Sequence, residues 1–354
     1  MPVRPRTIEG GPVLIVPYMW IGDFVRCHTV ISLLRERNPD LAIDVLTTAM
    51  IAPLLDYMPG VRKGIIADLP RKRLALGCHR ALAGQLKAEG YAHVLVMPRK
   101  WKSALAPWLA GIPLRTGFVG EARFGLLNDL RFGERRMPRM VDRCAALALE
   151  KDAHLPTSWP LPRLEVPARE IAHWRERFEL TSGSRPAIAF APGAVGPSKR
   201  WPAEYFAELA RRLVAEGYSV WIFGGPDEKR LADEIVQGDR AHIRDFTGSD
   251  LRNAILGLAA ARAAVSNDSG LLHVAAALGK PTVGIFGPTS PWHWAPLNPL
   301  SGIMEIAGEL ACRPCHEPVC RPGHHRCMRE IAADRVLVEV HRAAAANNQV
   351  CDTV

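Results

Sequence analysis

The sequence predicts an α/β protein made of two parallel-sheet domains in tandem, and three observations carry that prediction. At 354 residues and 38.9 kDa, the chain exceeds the roughly 100–200 residues that one compact core usually organises. Short β-branched runs alternate with longer amphipathic stretches, which is the rhythm of strands joined by helical crossovers. Between about residues 150 and 186 that rhythm dissolves into Pro, Ser and Gly punctuation, and then it restarts. The expected division is therefore an N-terminal domain over residues 1–165 and a C-terminal domain over residues 166–354.

The elements follow in order. Val13–Val16 reads as a first strand, residues 24–37 as a helix, residues 43–46 as a strand, residues 74–89 as a helix and residues 94–97 as a strand. Continuous apolar strands of this kind imply a parallel sheet covered on both faces. A short helical piece around residues 171–178 lies within the linker. Beyond it, Ala187–Ala191 is a strand, and a helix opens at Trp201-Pro202 and stops at Gly217. Residues 220–223 form the next strand, followed by Gly224-Gly225-Pro226 and a charged helix from Asp227. Residues 251–262 are helical, 264–267 a strand, 269–278 a helix and 282–286 a strand. Both halves thus read as Rossmann-like domains, whose ligands sit at the carboxyl ends of the strands.

Composition narrows the function classes. With 48% hydrophobic and 23% charged residues, disorder and collagen are excluded, and the length excludes a small disulfide scaffold. Residues 1–150 hold 22 Lys+Arg against 13 Asp+Glu, so the whole excess of +9 lies in the N-terminal part. A basic half beside a neutral one suits an anionic partner such as nucleic acid, a phosphorylated substrate or an acidic membrane surface, or else a merely soluble surface. No window approaches the roughly 20 apolar residues of a membrane-spanning helix. Arg4 and Arg6 before the apolar stretch of residues 11–21 mimic a signal peptide, but Pro12, Pro17 and the missing small-x-small site argue for a cytosolic strand. Scattered Cys27, Cys78, Cys144 and Cys351 fit a reducing compartment.

Four segments could carry chemistry. Around Asn267-Asp268-Ser269-Gly270, a strand gives way to a helix start that is small and polar, with backbone N–H groups and helix dipole open to a diphosphate. Asp268 suits a ribose hydroxyl or the polarising of a neighbour, and His273 lies one turn further on the same face. The bland reading is an ordinary cap and a packed histidine. A second segment, Gly193-Ala194-Val195-Gly196-Pro197-Ser198-Lys199, is a glycine-rich loop in which Lys199 offers a mobile charge to a leaving diphosphate. It lacks the order of a Walker A loop. In the third, Gly22-Asp23 follows the first strand, where Asp23 is either a general base whose pKa partial burial would raise, or an N-cap. The fourth is Cys312, Cys315, Cys320 and Cys327, interleaved with His316, His324 and His325. Four thiols would satisfy a tetrahedral metal, yet the spacing is not that of paired Cys-x-x-Cys ribbons, and reduced packing cysteines are the favoured reading. Basic and aromatic residues also mingle at Arg71-Lys72-Arg73, at Arg99-Lys100-Trp101-Lys102 with Trp108, and at residues 131–143. No helix-turn-helix, RNP or zinc-finger signature accompanies them, so nucleic acid is not the expected partner, and the tryptophans read equally well as core.

Together, Gly22-Asp23, Lys199-Arg200-Trp201-Pro202, the run from Asn267 to Ala277 and Gly287-Pro288-Thr289 resemble the ADP-heptose:lipopolysaccharide heptosyltransferases of glycosyltransferase family 9. The cysteine segment looks like the heptosyltransferase II branch. The resemblance is dense over residues 185–331 and 13–60. It implies a GT-B fold, with two Rossmann-like domains facing each other across a cleft, the nucleotide-sugar donor in the C-terminal domain and the acceptor in the N-terminal one. It implies no obligatory metal and no cofactor, with ADP-heptose as donor and the anionic lipid A–Kdo–heptose inner core as acceptor. Asp23, beside Gly22, would be the base, and Lys199 would stabilise the departing diphosphate. Gly193, Ala194, Asp268, Ser269, Gly270 and His273 would line diphosphate and ribose, Thr247 and Gly248 would border the adenine, and Asp227 or Glu228 would take a ribose hydroxyl. With no hydroxyl side chain in residues 193–196, phosphate contacts there fall to backbone N–H groups. Such an enzyme would work in the cytoplasm, peripheral at the inner face of the inner membrane. The alternatives are a family 9 enzyme using another nucleotide sugar or acceptor, and a silent nucleotide-sugar-binding protein. An NAD(P)-dependent oxidoreductase ranks below these, because the first strand is not followed by Gly-x-Gly-x-x-Gly.

Overall fold

The computed structural model describes residues 10–70, 74–137, 139–180 and 185–351. Arg4, Arg6, the Arg71-Lys72-Arg73 cluster and linker residues 181–184 lie outside the described residues. The chain divides into two compact units, Met1–Arg163 and Leu164–Val354.

The first unit is built on six strands: β1 (Val13–Val16), β2 (Ile43–Thr47), β3 (Lys63–Ile66), β4 (His93–Val96), β5 (Leu114–Phe118) and β6 (Asp129–Arg131). All neighbours pair in parallel, in the order β3-β2-β1-β4-β5-β6. The central strands β1 and β4 are wholly buried, which is why they read as unbroken apolar runs. The edge strands β3 and β6 are more exposed and carry Lys63, Asp129 and Arg131. An edge needs only one apolar face, so these strands left no such run in the sequence. Leu82, Ala83 and Leu86 of helix Leu76–Ala88 pack on Leu14, Val16, Val94 and Val96. The helix expected over residues 24–37 is two helices, Ile21–Arg26 and His28–Arg37, hinged at Cys27.

The second unit repeats the plan with β7 (Ala187–Ala191), β8 (Ser219–Ile222), β9 (Ile243–Asp245), β10 (Ala263–Asn267), β11 (Thr282–Ile285) and β12 (Ser301–Met304). Its parallel order is β12-β11-β10-β7-β8-β9. Ile188, Phe190, Val220, Ile222, Val265 and Val283 form one core with Trp201, Phe206, Leu209 and Leu213 from the region of helix Ala203–Ala215, and with Val336 and Val340 of the terminal helix Ala333–Cys351. The helical piece of the linker is Ala168–Arg177. It docks through buried Trp174 into a cluster of Phe178, Trp221, Phe223 and Phe246.

Each sheet therefore reverses its strand order once, between β1 and β4 in the first unit and between β7 and β10 in the second. At such a reversal the loops leaving the two strands turn to opposite sides and open a crevice at the carboxyl edge. Gly22 and Asp23 follow β1, residues 193–199 follow β7 and residues 268–270 follow β10.

Candidate active site

In the second unit the loop after β7 and the loop after β10 are tied together before any ligand arrives. Asn267, the fully buried last residue of β10, accepts a hydrogen bond at Oδ1 from the Trp201 N–H (3.1 Å) and donates from Nδ2 to the Pro192 carbonyl (2.6 Å). Leaving either backbone group unpaired in this interior would cost ~1–3 kcal/mol. Trp201 is itself fully buried and donates its Nε1–H to the Ile331 carbonyl at 2.8 Å. These bonds bring Lys199 to the crevice, where its Nζ donates to Asp268 Oδ2 at 2.7 Å. Thr289, after β11, donates to the same oxygen at 2.8 Å.

Asp268 thus acts on its neighbour: it orients the ammonium, which has three donors and spends one on this carboxylate. Ser269 is the N-cap of helix Gly270–Ala277, with extended backbone (φ −139°, ψ 170°), but its side chain makes no capping bond. Its hydroxyl meets Ser266 Oγ at 3.0 Å instead. The capping expected of the polar residues here is therefore not made, and the first-turn N–H groups of Gly270 and its successors keep their affinity for an anion. His273 is 5% exposed, so burial within the helix packing is its main setting.

The Lys199 turn is gripped from its far side by the cysteine segment. Ser198 is buried; its N–H donates to the Pro318 carbonyl at 3.1 Å, its hydroxyl donates to the Glu317 carbonyl, and its carbonyl accepts from His325 Nε2 at 2.7 Å. Gly196 has φ +94°, a conformation that favours glycine, and a Cβ there would sit tightly at 3.2 Å from Pro318 backbone atoms. His316 lies close enough to feel Lys199, and burial first, then the charges of His293 and Lys199, lower its pKa. Cys312 and Cys315 are exposed, Cys320 is half-buried and Cys327 is buried, all as free thiols. They border a cavity of about 210 Å³. Burial, followed by the neighbouring thiols, pushes the Cys327 thiol up to about 11. Among the described residues, no three His, Cys, Asp or Glu side chains are placed to hold a metal ion.

The other residues singled out by sequence in this unit lie on the loops after β7, β8 and β9. Gly193 lets Glu228 approach: a Cβ at residue 193 would lie 2.6 Å from Glu228 Cγ. Glu228 Oε2 accepts the Gly225 N–H at 2.6 Å; its expected ribose role would have to share that bond. Ala194 is buried and its carbonyl accepts from Arg200 Nε at 3.2 Å. Thr247 donates both its N–H and its hydroxyl to Asp245 (2.8 and 2.6 Å), and Gly248, at φ +79°, donates to the Gly224 carbonyl at 3.0 Å.

In the first unit, Gly22 and Asp23 follow β1 as the second and third residues of helix Ile21–Arg26. The N-cap is Trp20, so the capping alternative for Asp23 does not hold. Asp23 Oδ1 accepts from Arg26 Nη1 at 2.6 Å, with only 12% and 5% of the two side chains exposed. Arg26 is a partner that sequence reading did not supply. Beside this helix start, residues after β1, β2, β3 and β4 enclose a cavity of about 380 Å³. Tyr18 lines it, and burial, then the charges of Cys144, Glu134 and Asp23, raise its pKa and keep the phenol protonated. Trp101 and Trp108 are 40% and 44% exposed, so neither is core.

Asn267, Ser198, Thr289 and Arg26 are the working neighbours that sequence reading passed over. Asn267 had a usable signal: an amide ending a buried strand must find partners for both its ends. Ser198 had none, because its partners lie more than a hundred residues away.

Comparison with known proteins places this geometry. Residues 79–325 match glycosyltransferase family 9 (heptosyltransferase). The chain is 37% identical over 343 residues to lipopolysaccharide heptosyltransferase 2 of Escherichia coli (strain K12), covering 93% of this chain and 97% of that protein. It is 35% identical to lipooligosaccharide heptosyltransferase 2 of Haemophilus influenzae, covering 94% and 99%. The solved structure of E. coli ADP-heptose lipopolysaccharide heptosyltransferase II superposes with a TM-score of 0.84 at 36% identity, over 95% of this chain and 99% of that one. With two six-stranded parallel Rossmann-like sheets, and the Lys199–Asp268 pair at the reversal of the second, the chain belongs to glycosyltransferase family 9, the heptosyltransferases, and has their GT-B fold.

Proposed function

We propose that this protein is an inverting heptosyltransferase that moves heptose from ADP-heptose to the inner core of lipopolysaccharide, with Lys199 and Asp23 in the catalytic roles. The observation that carries the reading is the Lys199–Asp268 pair beside the uncapped start of helix Gly270–Ala277. A fixed ammonium and free helical N–H groups are donors aimed at negative charge, and a departing diphosphate is where that charge develops. In the reaction the acceptor hydroxyl oxygen attacks the anomeric carbon, the bond from that carbon to the β-phosphate oxygen breaks, and ADP leaves with the electron pair. The hydroxyl proton passes to Asp23. Attack opposite the leaving group inverts configuration. Gly193, Ala194, Ser269, Gly270 and His273 line or support the diphosphate and ribose side, and Thr247 and Gly248 the adenine side. No step requires a metal or cofactor.

The acceptor is the anionic lipid A–Kdo–heptose region, and the basic first half of the chain supports that pairing. Among the described residues no helix is long and apolar enough to cross a membrane. Exposed Trp101 and Trp108 near Lys100 and Lys102 suit peripheral contact with the inner face of the inner membrane.

The test is to mix the protein with ADP-heptose and heptose-truncated lipopolysaccharide, with and without EDTA, and weigh the acceptor. A gain of one heptosyl residue in both arms, with inverted anomeric configuration, is expected. Gain only with another nucleotide sugar would replace the donor, ADP binding without gain would mark a silent binding protein, and loss in EDTA would call for a metal.

A further inference from the structure

The segment from Cys312 to Cys327 brings His316 to the Lys199–Asp268 pair, and backbone bonds on either side of it fix where it stands. The N–H groups of Cys315 and His316 both donate to the Pro288 carbonyl, at 3.1 and 3.0 Å. Pro288 precedes Thr289, which donates to Asp268 Oδ2. On the other side of His316, the Glu317 carbonyl accepts from the hydroxyl of Ser198, and Ser198 precedes Lys199, the second donor to that same oxygen. His316 is therefore strung between the two loops whose side chains converge on Asp268. The charges that reach its ring belong to the same place: His293, from the short helix Pro291–Trp294, Lys199 and Asp268.

Its backbone is held in a conformation that a histidine does not adopt unforced. His316 has φ +56°, in the left-handed region that a residue with a Cβ enters mainly where its surroundings impose it. Despite this anchorage the residue is exposed, and among the described residues no hydrogen bond reaches its ring. His325, in the same segment, spends Nε2 on the Ser198 carbonyl; His316 spends neither nitrogen. Partial burial, then His293 and Lys199, lower its pKa against the pull of Asp268, so near pH 7 the ring is neutral and presents one N–H donor. Such a donor beside an ammonium suits a shared anion, because it adds a hydrogen bond without setting a second cation against Lys199. The anion that Lys199 and the start of helix Gly270–Ala277 both favour is the diphosphate.

We propose that His316 is a further residue of the donor site, donating from its imidazole to a β-phosphate oxygen alongside Lys199, and that the cysteine segment serves to hold it there. That this diphosphate belongs to a sugar donor rests on the transferase reading.

The experiment uses His316→Asn in the full chain, since asparagine tolerates the left-handed region and so keeps the turn while removing the ring. His316→Gly takes its place if thermal melts show that the first variant does not fold. Calorimetric titrations use ADP-heptose, ADP and AMP, the last keeping adenine and ribose without the β-phosphate. The variant is expected to bind ADP and ADP-heptose roughly 5- to 30-fold more weakly than the parent, and AMP within about twofold of it. Equal losses for AMP and ADP would make His316 a structural support only, and a loss confined to ADP-heptose would put the ring on the sugar; either overturns the proposal, as does failure of the parent to bind ADP. Heptosyl transfer by the parent with ADP affinity unmoved in the variant leaves the transferase reading standing and ends this one. An ADP-selective loss in a protein that transfers no heptosyl group does the reverse.

Discussion

The two units solve the same topological problem in opposite ways. Both reverse strand order at the centre of a six-stranded parallel sheet and so open a crevice at the same place. In the second unit the crevice is knitted together around its polar groups: Asn267 bonds both flanking loops, Asp268 holds Lys199 and is itself held by Thr289, and the segment from Glu317 to His325 holds Ser198. In the first unit the crevice is a cavity of about 380 Å³, and the Thr48 Oγ1 and His79 Nδ1 atoms are buried without a partner in its walls. The contrast teaches where each unit places its free energy. One side is preorganised, as the proposed transfer would require for a charge that appears only as a bond breaks, where reorganisation would be costly. The other is left as a cavity walled mostly by apolar side chains.

If the first unit's crevice houses the base, its largest lever is Asp23. Asp23→Asn keeps the shape and removes the proton acceptor, and loss of a general base costs about 10²- to 10⁴-fold in rate. The expected outcome is that loss in kcat with ADP affinity intact, read by steady-state kinetics and an ADP titration. Retained turnover would strip Asp23 of the role. The corresponding lever in the second unit is Lys199→Ala, for which removal of one donor to developing charge predicts roughly a 10²- to 10³-fold drop in kcat. It also leaves Asp268 without its ammonium, so Lys199→Ala with Asp268→Asn should fall short of the product of the two single losses. Multiplicative losses would mean that the pair does not act as a unit.

Preorganisation itself is tested away from the charges. Asn267→Ala removes the partners of the Trp201 N–H and the Pro192 carbonyl, and should lower stability by about 2–4 kcal/mol in denaturant melts. Thr48→Val, made on the open crevice, removes an unbonded hydroxyl and should leave stability unchanged or slightly raised. Equal losses at the two sites would dissolve the contrast. A gentler probe is Ser198→Ala, which frees one end of the Lys199 turn; kcat should fall about tenfold with ADP affinity little changed, as expected when a group is held by one hydrogen bond fewer.

Much of this architecture could be read in the sequence, and the omissions have physical causes. Central strands such as β1 and β7 are buried on both faces and declare themselves as apolar runs. The edge strands β3 and β6 carry Lys63, Asp129 and Arg131 and look like loops. Gly193, Lys199, Asp268 and Ser269 stood out because anion sites need small residues, a cation and a helix start in sequence. Glu228 shows the limit of such reading: a carboxylate after a glycine pair reads as a ribose ligand, and its bond from the Gly225 N–H could be seen only in the fold. Arg26, Ser198 and His79 were invisible for a different reason: their meaning lies in a through-space partner, or in the lack of one, and no spacing rule encodes that.

The smallest effect separates the two crevices by pH. His79 has a pKa below the ordinary value of 6.5, from burial first and Lys102 second. The folded state therefore holds fewer protons on this ring than the unfolded state does, over a window that begins near pH 6.5 and runs downward. Stability from this group is fully present above that window and is lost as pH falls through it. His316, near Lys199, shifts in the same direction, so the parent's melting temperature should decline from about pH 7 to pH 5 through both rings. Two carboxylates do not intrude, because their values are lowered: buried Asp142, where bonds from Arg139 and Trp159 outweigh burial, and half-buried Asp245, where Lys229 and Thr247 do the same. Their contributions are lost only at more acidic pH. His79→Phe should flatten part of the slope and leave the share of His316, whereas melting temperatures that fall in parallel for parent and variant would show that His79 is not held neutral by its cavity.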